Sequence, residues 1–307
     1  MKITRRDALK LLAGSGVAAG VGGIHSITAM TAARPHIAAI TGPNPAANAQ
    51  QAIAALGGIG RFVSKGDVVV LKPNAGFGYD PTRGATTEPS VVRAVAQLCM
   101  NAGAKRVLVL DNPCHRADIA LTVCGIKGAM KGLDDVFAYT VTGKKFFRKV
   151  AIPKGVGLKH QLVATDILEA DKIINLPVAK SHGSAKVSFG MKNWMGVVYD
   201  RGFWHTDIDL NRAIADFASF MKPTLTVLDA TRAMLTGGPG GPGTLAQLNT
   251  VVAGTDPVAM DAFGLTLGKY GGSGYTVADV PYIGMAEALG VGSSKLDRLT
   301  ILRKEAP

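Results

Sequence analysis

Cysteine is scarce in this sequence, and no apolar run is long enough to cross a membrane. The 307 residues contain three cysteines, too few for a dense disulfide framework or for a cluster held by four thiolates. A membrane-spanning helix needs about 20 consecutive apolar residues. Charged residues make up 18% of the sequence and hydrophobic residues 47%, which excludes a disordered chain. We therefore expect a globular protein without a stable membrane span.

Positive charge and glycine are what the sequence has in excess. Lysine and arginine number 34 against 22 acidic residues, and the formal net charge is +12. Such an excess favours anionic partners without identifying them. The segment 144–149 interleaves aromatic and basic residues as nucleic-acid-binding proteins do, but a solvated hairpin tip explains it more simply. We therefore expect a small anionic ligand and no nucleic acid.

The first 33 residues have the composition of an export signal. A basic start precedes residues 11–24, which are apolar but rich in glycine and alanine, and small residues at 31–33 suit a cleavage site. The pair Arg5-Arg6 resembles that of a twin-arginine (Tat) signal. We predict a Tat-type signal peptide over residues 1–33, one domain over residues 34–307, and a periplasmic or other extracytoplasmic location.

Export would place the three cysteines in an oxidising compartment. Cys114 and Cys124 would then be able to form a disulfide, with Cys99 left over. The alternative, which we favour from the sequence, is three buried thiols.

Hydrophobic patterning predicts an α/β fold. Residues 67–72 and 106–111 are short apolar strands, and residues 89–102 between them repeat apolar side chains at helical spacing. A strand, a helix and a strand in this length indicate a βαβ crossover and parallel pairing. Further strands are predicted over 171–176, 224–229 and 248–254, helices near 207–221, 257–269 and 281–289, and a hairpin around Gly143 within 139–152. The expected architecture is a largely parallel sheet with helices on both faces.

Polar side chains follow nearly every predicted strand, where open parallel sheets bind their ligands. The strand ends supply Lys72, Asn74, Asp111, His115, Lys180, His182, Asp229, Arg232 and Asp256. Five polar strand ends at one edge of a sheet favour a site over structural polarity. Taken singly, Asp229 and Asp256 are better explained as caps of following helices.

The segment 180–196 places Lys180, His182 and Lys192 among Gly, Ser and Met residues. Lys180 and Lys192 are costly to desolvate without partners, and His182 is able to donate, accept or bind a metal. The alternatives are a hydrogen-bonded core histidine for His182 and a surface histidine for His205. The Gly/Pro-rich loop 236–243 lacks the signatures of phosphate-binding loops, so we expect a lid or a connector there.

Several blocks of this sequence resemble the DUF362 family. They are Val-Leu-Lys-Pro-Asn74, Ala-Thr-Thr-Glu-Pro89, Gly-Ala-Lys-Arg-Val-Leu-Val-Leu-Asp111, Asn-Leu-Pro-Val-Ala-Lys-Ser-His182, Met-Lys-Asn-Trp-Met-Gly196, Lys-Pro-Thr-Leu-Thr-Val-Leu-Asp229 and Ala-Gly-Thr-Asp-Pro-Val-Ala-Met-Asp261. The resemblance runs from about Gly66 to Gly292 and implies little about activity, because the family is named for being uncharacterised. Some members carry an added segment with iron–sulfur clusters. This sequence has no C-x-x-C, so its own cysteines hold no such cluster.

The order of polar residues also resembles the amino-terminal half of lactate-racemase-type proteins, which use a nickel pincer nucleotide. In those proteins a strand-end histidine is followed by a Pro-His segment, a lysine that anchors the cofactor and a metal-binding histidine. His115, His182, Lys192 and His205 have this order and similar spacing. This sequence differs in that Lys180-Ser181, not proline, precedes His182, and in the residue after Lys192.

Two functions remain open from the sequence. The first is an enzyme with a metal or nickel pincer-type cofactor that racemises or epimerises a small anion beside its carboxylate. Its residues would be His115 and His182 as general acid and base, Lys72, Asn74, Asp111, Lys180 and Arg232 for the substrate, Lys192 and Asn193 for the cofactor, and His205 for the metal. The second is a non-catalytic protein that binds an anion or metal, or accompanies an iron–sulfur or redox partner protein.

Overall fold

The computed structural model describes residues 34–307, and the predicted signal peptide over residues 1–33 lies outside them. The strands are β1 (Ile37–Thr41), β2 (Val68–Pro73), β3 (Arg106–Asp111), β4 (Val136–Thr140), β5 (Phe147–Ala151), β6 (His160–Ala164), β7 (Lys172–Leu176), β8 (Val178–His182), β9 (Lys186–Ser188), β10 (Leu225–Met234), β11 (Leu245–Gly254) and β12 (Ile301–Glu305). In the same range, no helix is long and apolar enough to span a bilayer.

The helices differ widely in length. The α-helices are α1 (Pro45–Ala55), α2 (Pro89–Asn101), α3 (Ala120–Val123), α4 (Ile126–Ala129), α5 (Thr165–Leu168), α6 (Gly190–Asn193), α7 (Phe203–Thr206), α8 (Leu210–Phe220), α9 (Pro257–Leu265) and α10 (Pro281–Ala288). Short 3-10 helices lie at Ile59–Arg61, Pro81–Arg83, Lys144–Phe146, Trp194–Val197, Val277–Asp279 and Leu296–Arg298. Proline in the first turn of α2 and α9 is compatible with a helix start, because that backbone nitrogen has no intrahelical acceptor.

A mixed, mostly parallel sheet runs through the molecule in the order β12-β1-β11-β10-β7-β2-β3-β4. Strands β10, β7, β2, β3 and β4 pair in parallel. The antiparallel strand β11 joins β10 to β1, and β12 pairs with β1 in parallel. Beyond the end of β7, β8 pairs with β10 in parallel and carries β9. The predicted βαβ unit is confirmed as β2–α2–β3, in which Val69 pairs with Val107.

Helices cover both faces of the sheet, as the sequence predicts. Alternation along β2 sends Val69 and Leu71 to one apolar core and Val70 to the other. The first core packs beneath α1 and α2, and the second beneath α8, α9 and α10. Both cores are continuous with buried strand residues, so the carboxyl ends of the strands are held in fixed positions by packing from two sides.

The predicted hairpin around Gly143 is wrong. Strand β4 pairs in parallel with β3, where Asp111 lies opposite Thr140. Strand β5 instead pairs antiparallel with β6, where Phe147 lies opposite Ala164. The alternation of a half-buried strand indicates which of its faces is apolar, but it does not predict which strand pairs with it.

All three cysteines are free thiols. Cys99 and Cys124 are buried, whereas Cys114 is exposed. The structure therefore contains neither the disulfide between Cys114 and Cys124 nor the three buried thiols that the sequence suggests as its alternative.

Candidate functional site

A cleft of about 410 Å³ opens where β2, β3 and β8 end. Its lining includes most of the site residues that the sequence predicts: Lys72, Asn74, Asp111, Lys180, His182, Lys192, Asn193 and His205. Gly76, Phe77, Asn112, Cys114, Ser188, Met195, Gly196, Arg201 and Pro239 complete it. The carboxyl edge of the sheet therefore brings together predicted site residues that lie up to 133 positions apart in the sequence, from Lys72 to His205.

A buried ion pair forms the floor of the cleft. Lys72 Nζ lies 3.0 Å from Asp111 Oδ1, and the Ala75 N–H donates to Asp111 Oδ2 over 2.6 Å. Burial lowers the pKa of Lys72, and the charge of Asp111 opposes that shift. The Asp111 carboxylate is thus paired with Lys72 and forms no ion pair with Lys180 or Lys192.

Gly196 allows the chain after α6 to pass directly over this pair. A Cβ at this position would lie 1.9 Å from Asp111 Oδ1 and 2.6 Å from Lys72 Nζ. The Gly196 carbonyl also accepts a hydrogen bond from the Asn112 N–H over 2.7 Å. Any larger residue would therefore have to displace the ion pair or the backbone.

Three asparagines connect the strand ends in a chain of hydrogen bonds. Asn74 Nδ2 donates to Asn193 Oδ1 over 3.0 Å, and Asn193 Nδ2 donates to Asn175 Oδ1 over 2.8 Å. Asn175 Nδ2 in turn donates to the carbonyl of Gly190 over 2.8 Å. Asn193, which the sequence assigns to a cofactor, thus orients its neighbours in this structure.

Lys180 is buried at the cleft and contacts only neutral groups. Its Nζ donates to Asn74 Oδ1 over 3.1 Å and to the Ala85 carbonyl over 2.5 Å, and it lies 4.9 Å from the centre of the Phe77 ring. Burial and, next, the charge of Lys192 lower the pKa of Lys180 to about 7. Both effects disfavour the ammonium form.

Lys192 is the second lysine of the cleft that has no acidic partner among residues 34–307. It is 8% exposed, and the one hydrogen-bond acceptor near its Nζ in the described part of the chain is the thioether of Met195 at 3.4 Å. Burial lowers the pKa of Lys192 to about 8. A weak sulfur acceptor does not replace the water that this ammonium loses on burial.

Two imidazoles face each other at the mouth of the cleft. The rings of His182 and His205 are 6.3 Å apart at 22°. The Ala185 N–H donates to His182 Nδ1 over 3.2 Å, so the proton of the neutral His182 ring is on Nε2. Burial lowers the pKa of His182 to about 3, with Lys192 the next cause, and burial also lowers the pKa of His205.

The position of α6 depends on Asp261, a residue of α9 to which the sequence gives no role in the site. The N–H groups of Gly190 and Met191 donate to the two Asp261 oxygens over 2.8 and 3.2 Å, and the Tyr282 hydroxyl donates over 3.1 Å. Burial raises the pKa of Asp261 to about 7. Because Asp261 lies among apolar helix residues, its spacing gives no sign of a partner 70 positions away.

Arg201 is a further cleft residue that has no predicted role. Its Nη1 donates to the carbonyls of Asn112 and Met195 over 2.6 and 3.0 Å. Since carbonyls carry no net charge, the guanidinium adds a third uncompensated cation to the cleft. A lone arginine in an irregular segment has no sequence signal that separates it from a surface residue.

Two of the predicted site residues are not part of the cleft lining. His115 packs its ring against Tyr79 at 4.9 Å. Arg232 forms an ion pair with Glu88 at the start of α2. His115 is therefore not among the residues that line the cleft with His182, and His205 is the imidazole that faces His182.

The remaining polar strand ends have structural partners. Asp256 caps α9 by accepting from the N–H groups of Val258 and Ala259, as its alternative interpretation predicts. Asp229 accepts from the Glu88 N–H over 2.7 Å, so it supports α2 and not a helix that follows it. In the loop 236–243, the Gly238 N–H donates to Ser181 Oγ over 3.0 Å, which places Pro239 at the cleft.

The donor groups do not fit a metal ion held by side chains. Within residues 34–307, no three His, Cys, Asp or Glu side chains are arranged to hold a metal. His182 accepts a hydrogen bond at Nδ1, so its Nε2 carries the proton and has no lone pair for a metal. Only anionic or hydrogen-bonding groups of a ligand match the lysines, arginine and histidines of this cleft.

Comparisons with known proteins identify relatives of the chain. The profile of the family described as "Domain of unknown function (DUF362)" matches residues 69–266. A thylakoid-associated protein of Synechocystis sp. is 32% identical over 217 residues, which are 67% of this chain and 64% of that protein. The matched part is thus less than two thirds of that relative's length.

Two solved structures are distantly similar. The lactate racemase apoprotein of Thermoanaerobacterium thermosaccharolyticum matches with a TM-score of 0.45 and 11% identity, over 75% of this chain and 56% of that one. A crystal structure of a protein from Thermotoga maritima matches with a TM-score of 0.42 and 15% identity, over 62% of this chain and 52% of that one.

Proposed function

This chain belongs to the DUF362 family, and we propose that its cleft binds a small organic anion and transfers a proton at that ligand, as a racemase or epimerase does. The observation that carries this proposal is the charge of the cleft. Lys180 and Lys192 are both buried there, and neither has a carboxylate within 4.0 Å among the described residues.

Binding an anion would offset an electrostatic cost that the folded chain carries. Two buried amines and the nearby Arg201 repel one another, and burial of an unpaired charge is costly. A carboxylate in the cleft would supply the missing negative charge and accept hydrogen bonds from Lys192 and from His182 Nε2. An anion that fits a cleft of about 410 Å³ is a small molecule.

Proton transfer is assigned to the two facing histidines. The Nε2–H of His182 is a donor, because the Ala185 N–H occupies Nδ1. Since its pKa is lowered, His205 is neutral near pH 7 and offers a lone pair to a proton. One donor and one acceptor on either side of a bound carbon acid are the minimum that racemisation needs. A bound anion would raise the pKa of both rings and strengthen the acceptor.

The second candidate is a non-catalytic anion-binding protein. The lowered pKa of His182, about 3, favours it, because a ring so hard to protonate is a weak base. The two candidates differ in one observable. A catalytic cleft exchanges the hydrogen on the carbon beside the carboxylate of a 2-hydroxy acid with deuterium from the solvent, and a binding protein does not.

The proposal is tested by calorimetric titration of the protein with oxalate, lactate and inorganic phosphate. We expect Lys192→Met to weaken binding at least about tenfold, which is about 1.4 kcal/mol, because it removes the cation with the weakest alternative partner. The matched control is Lys105→Met, which removes an equal charge from an exposed site. No binding by the unmodified protein, or equal binding by both variants, would contradict the proposal.

A further inference from the structure

We propose that Lys180 is a nucleophilic amine that forms an imine with small anions bearing an aldehyde or ketone, such as 2-oxo acids. This inference rests on the proposed anion site and deepens it, because it names the substrate class and a covalent step in the same cleft. It follows from the charge balance of the cleft, the hydrogen bonds of Lys180 and the chemistry of buried amines.

The first step concerns how charge is shared in the cleft. Among the described residues, Lys72, Lys180 and Lys192 line it together with a single carboxylate, that of Asp111. Lys72 Nζ forms an ion pair with that carboxylate, 3.0 Å from Asp111 Oδ1. A cluster of three amines with one acid is relieved when an anion enters or when one amine loses its proton.

The second step concerns which amine is suited to losing its proton. Lys180 has two acceptors, Asn74 Oδ1 and the Ala85 carbonyl. A neutral amine has two N–H groups and one lone pair, whereas an ammonium has three N–H groups. The two acceptors match the neutral amine and leave the lone pair for a carbonyl carbon. The ring of Phe77 covers this amine on one side.

Electrostatics divides the two unpaired lysines into different roles. The groups that act on Lys180 are Lys192 and Lys72, which lower its pKa, and Cys114 and Asp111, which raise it, in addition to burial. With a pKa of about 7, Lys180 is half neutral at neutral pH, whereas Lys192, with a pKa of about 8, stays mostly charged. Lysines desolvated beside another cation serve as nucleophiles in this way.

The covalent step is balanced without an oxidant or a reductant. The Lys180 lone pair attacks the carbonyl carbon, a C–N bond forms, and a proton moves from nitrogen to oxygen to give a carbinolamine. The C–O bond then breaks, the oxygen leaves as water with a proton from the Lys192 ammonium, and the nitrogen becomes the iminium. Lys192 and Arg201 hold the carboxylate of the same molecule.

The experiment traps the iminium by reduction. The full chain is incubated with glyoxylate and cyanoborohydride at about pH 7, the pH at which Lys180 is half neutral, and its peptides are mapped by mass spectrometry. We expect the adduct on Lys180 to exceed that on the exposed Lys144 and Lys145 by at least about tenfold. With glycolaldehyde, a neutral aldehyde, most of the preference for Lys180 should disappear, because this molecule has no carboxylate to bind Lys192.

Variants identify the residue independently of the map. Lys180→Arg keeps a cation and Lys180→Met keeps the length of the side chain, and both should abolish the preferred adduct, while the control Lys105→Arg should leave it unchanged. An adduct no stronger on Lys180 than on surface lysines, or one concentrated on Lys192, would overturn the inference. Because the unmodified protein is mapped directly, this result does not depend on whether a variant folds.

Oxalate binding, measured on the same preparation, separates the two proposals. Oxalate has no aldehyde or ketone and tests the anion site alone. If oxalate binds and Lys180 is not labelled, the imine is excluded and the anion site stands. If oxalate does not bind, the anion site fails, and with it the basis of the imine. Protection of Lys180 from labelling by oxalate supports both.

Discussion

At the scale of single residues, the cleft depends on a few close approaches that leave no room for change. Gly196 lies over the ion pair of Lys72 and Asp111, and Asn193 receives and donates hydrogen bonds to both sides. Each of these residues fixes a neighbour that carries charge or donates a proton. The side chains that face the ligand are therefore held before the ligand arrives.

Gly196→Ala should destabilise the protein. Its Cβ would lie 1.9 Å from Asp111 Oδ1, so the ion pair or the backbone must move. Overpacking of this kind costs at least about 1–3 kcal/mol, measured as the free energy of unfolding in denaturant.

The matched control for this change is Gly128→Ala in α4, where a Cβ meets nothing within 4 Å. It should leave stability unchanged or raise it, because alanine is the better helix former. Equal stabilities of the two variants would show that the close packing over Lys72 is not required.

Residue identity predicts much of the lining and little of its contacts. Lys72, Asp111, Lys180 and His182 follow apolar strands, and the rule that parallel sheets bind ligands at this edge suffices to bring them together. The rule does not predict the ion pair between Arg232 and Glu88. The partners of a side chain at a strand end lie in distant parts of the sequence, and they depend on tertiary packing that a local sequence pattern does not specify.

At the scale of elements, the four-residue helix α6 is the part of the site with the least support of its own. So short a helix is not stable without outside contacts. Its first N–H groups are satisfied by Asp261 from α9, and this contact fixes Lys192 and Asn193 in the cleft. The support for this part of the cleft thus comes from α9.

Asp261→Asn should therefore loosen α6 and weaken oxalate binding, because an amide places one N–H donor where a backbone N–H needs an acceptor. An unsatisfied buried group costs about 1–3 kcal/mol. Asp297→Asn, the same change at an exposed carboxylate, is the control and should leave binding unchanged.

The pH dependence of this variant gives an independent check. The pKa of Asp261 is raised from 3.8 to about 7 in the folded protein, so the protonated form is favoured by folding. Its contribution to stability is full below the unfolded value and is lost as the pH rises through about 7. The free energy of unfolding of the unmodified protein should exceed that of Asp261→Asn by less and less as the pH rises from 3.8 to about 7. A constant difference would contradict the assignment.

Element by element, local patterns predict the unit β2–α2–β3, because strand and helix periods alternate clearly in 67–111. They fail for β5, whose partner is β6 and not β4, because alternation does not specify the neighbour. They also give no sign of β8 and β9 as separate strands, because both strands are short and residues 180–188 are mostly polar.

At the scale of the whole molecule, two features bear on the proposed function: the distribution of charge and the composition of the first 33 residues. The cations of the cleft are a small part of an overall excess of positive charge, which would draw anions toward the protein. The helices on both faces of the sheet leave its carboxyl edge open at the cleft. A proposed Tat signal would export this protein already folded.

Export by the twin-arginine route predicts that Arg5→Lys combined with Arg6→Lys keeps the precursor in the cytoplasm, because that pathway recognises the arginine pair. Cell fractionation with an immunoblot measures the distribution. Lys2→Arg, which keeps the charge outside the pair, is the control and should be exported normally. Normal export of the double variant would exclude the Tat route.

The measurement that tests the anion site most directly is the number of protons taken up when oxalate binds, obtained by calorimetry in two buffers of different ionisation enthalpy. A bound anion favours the ammonium form and raises the pKa of Lys180 from about 7 and of Lys192 from about 8. Near pH 8 the protein should therefore take up protons on binding, and affinity should fall as the pH is raised further. Absence of binding, or binding near pH 8 with no proton uptake, would contradict the account.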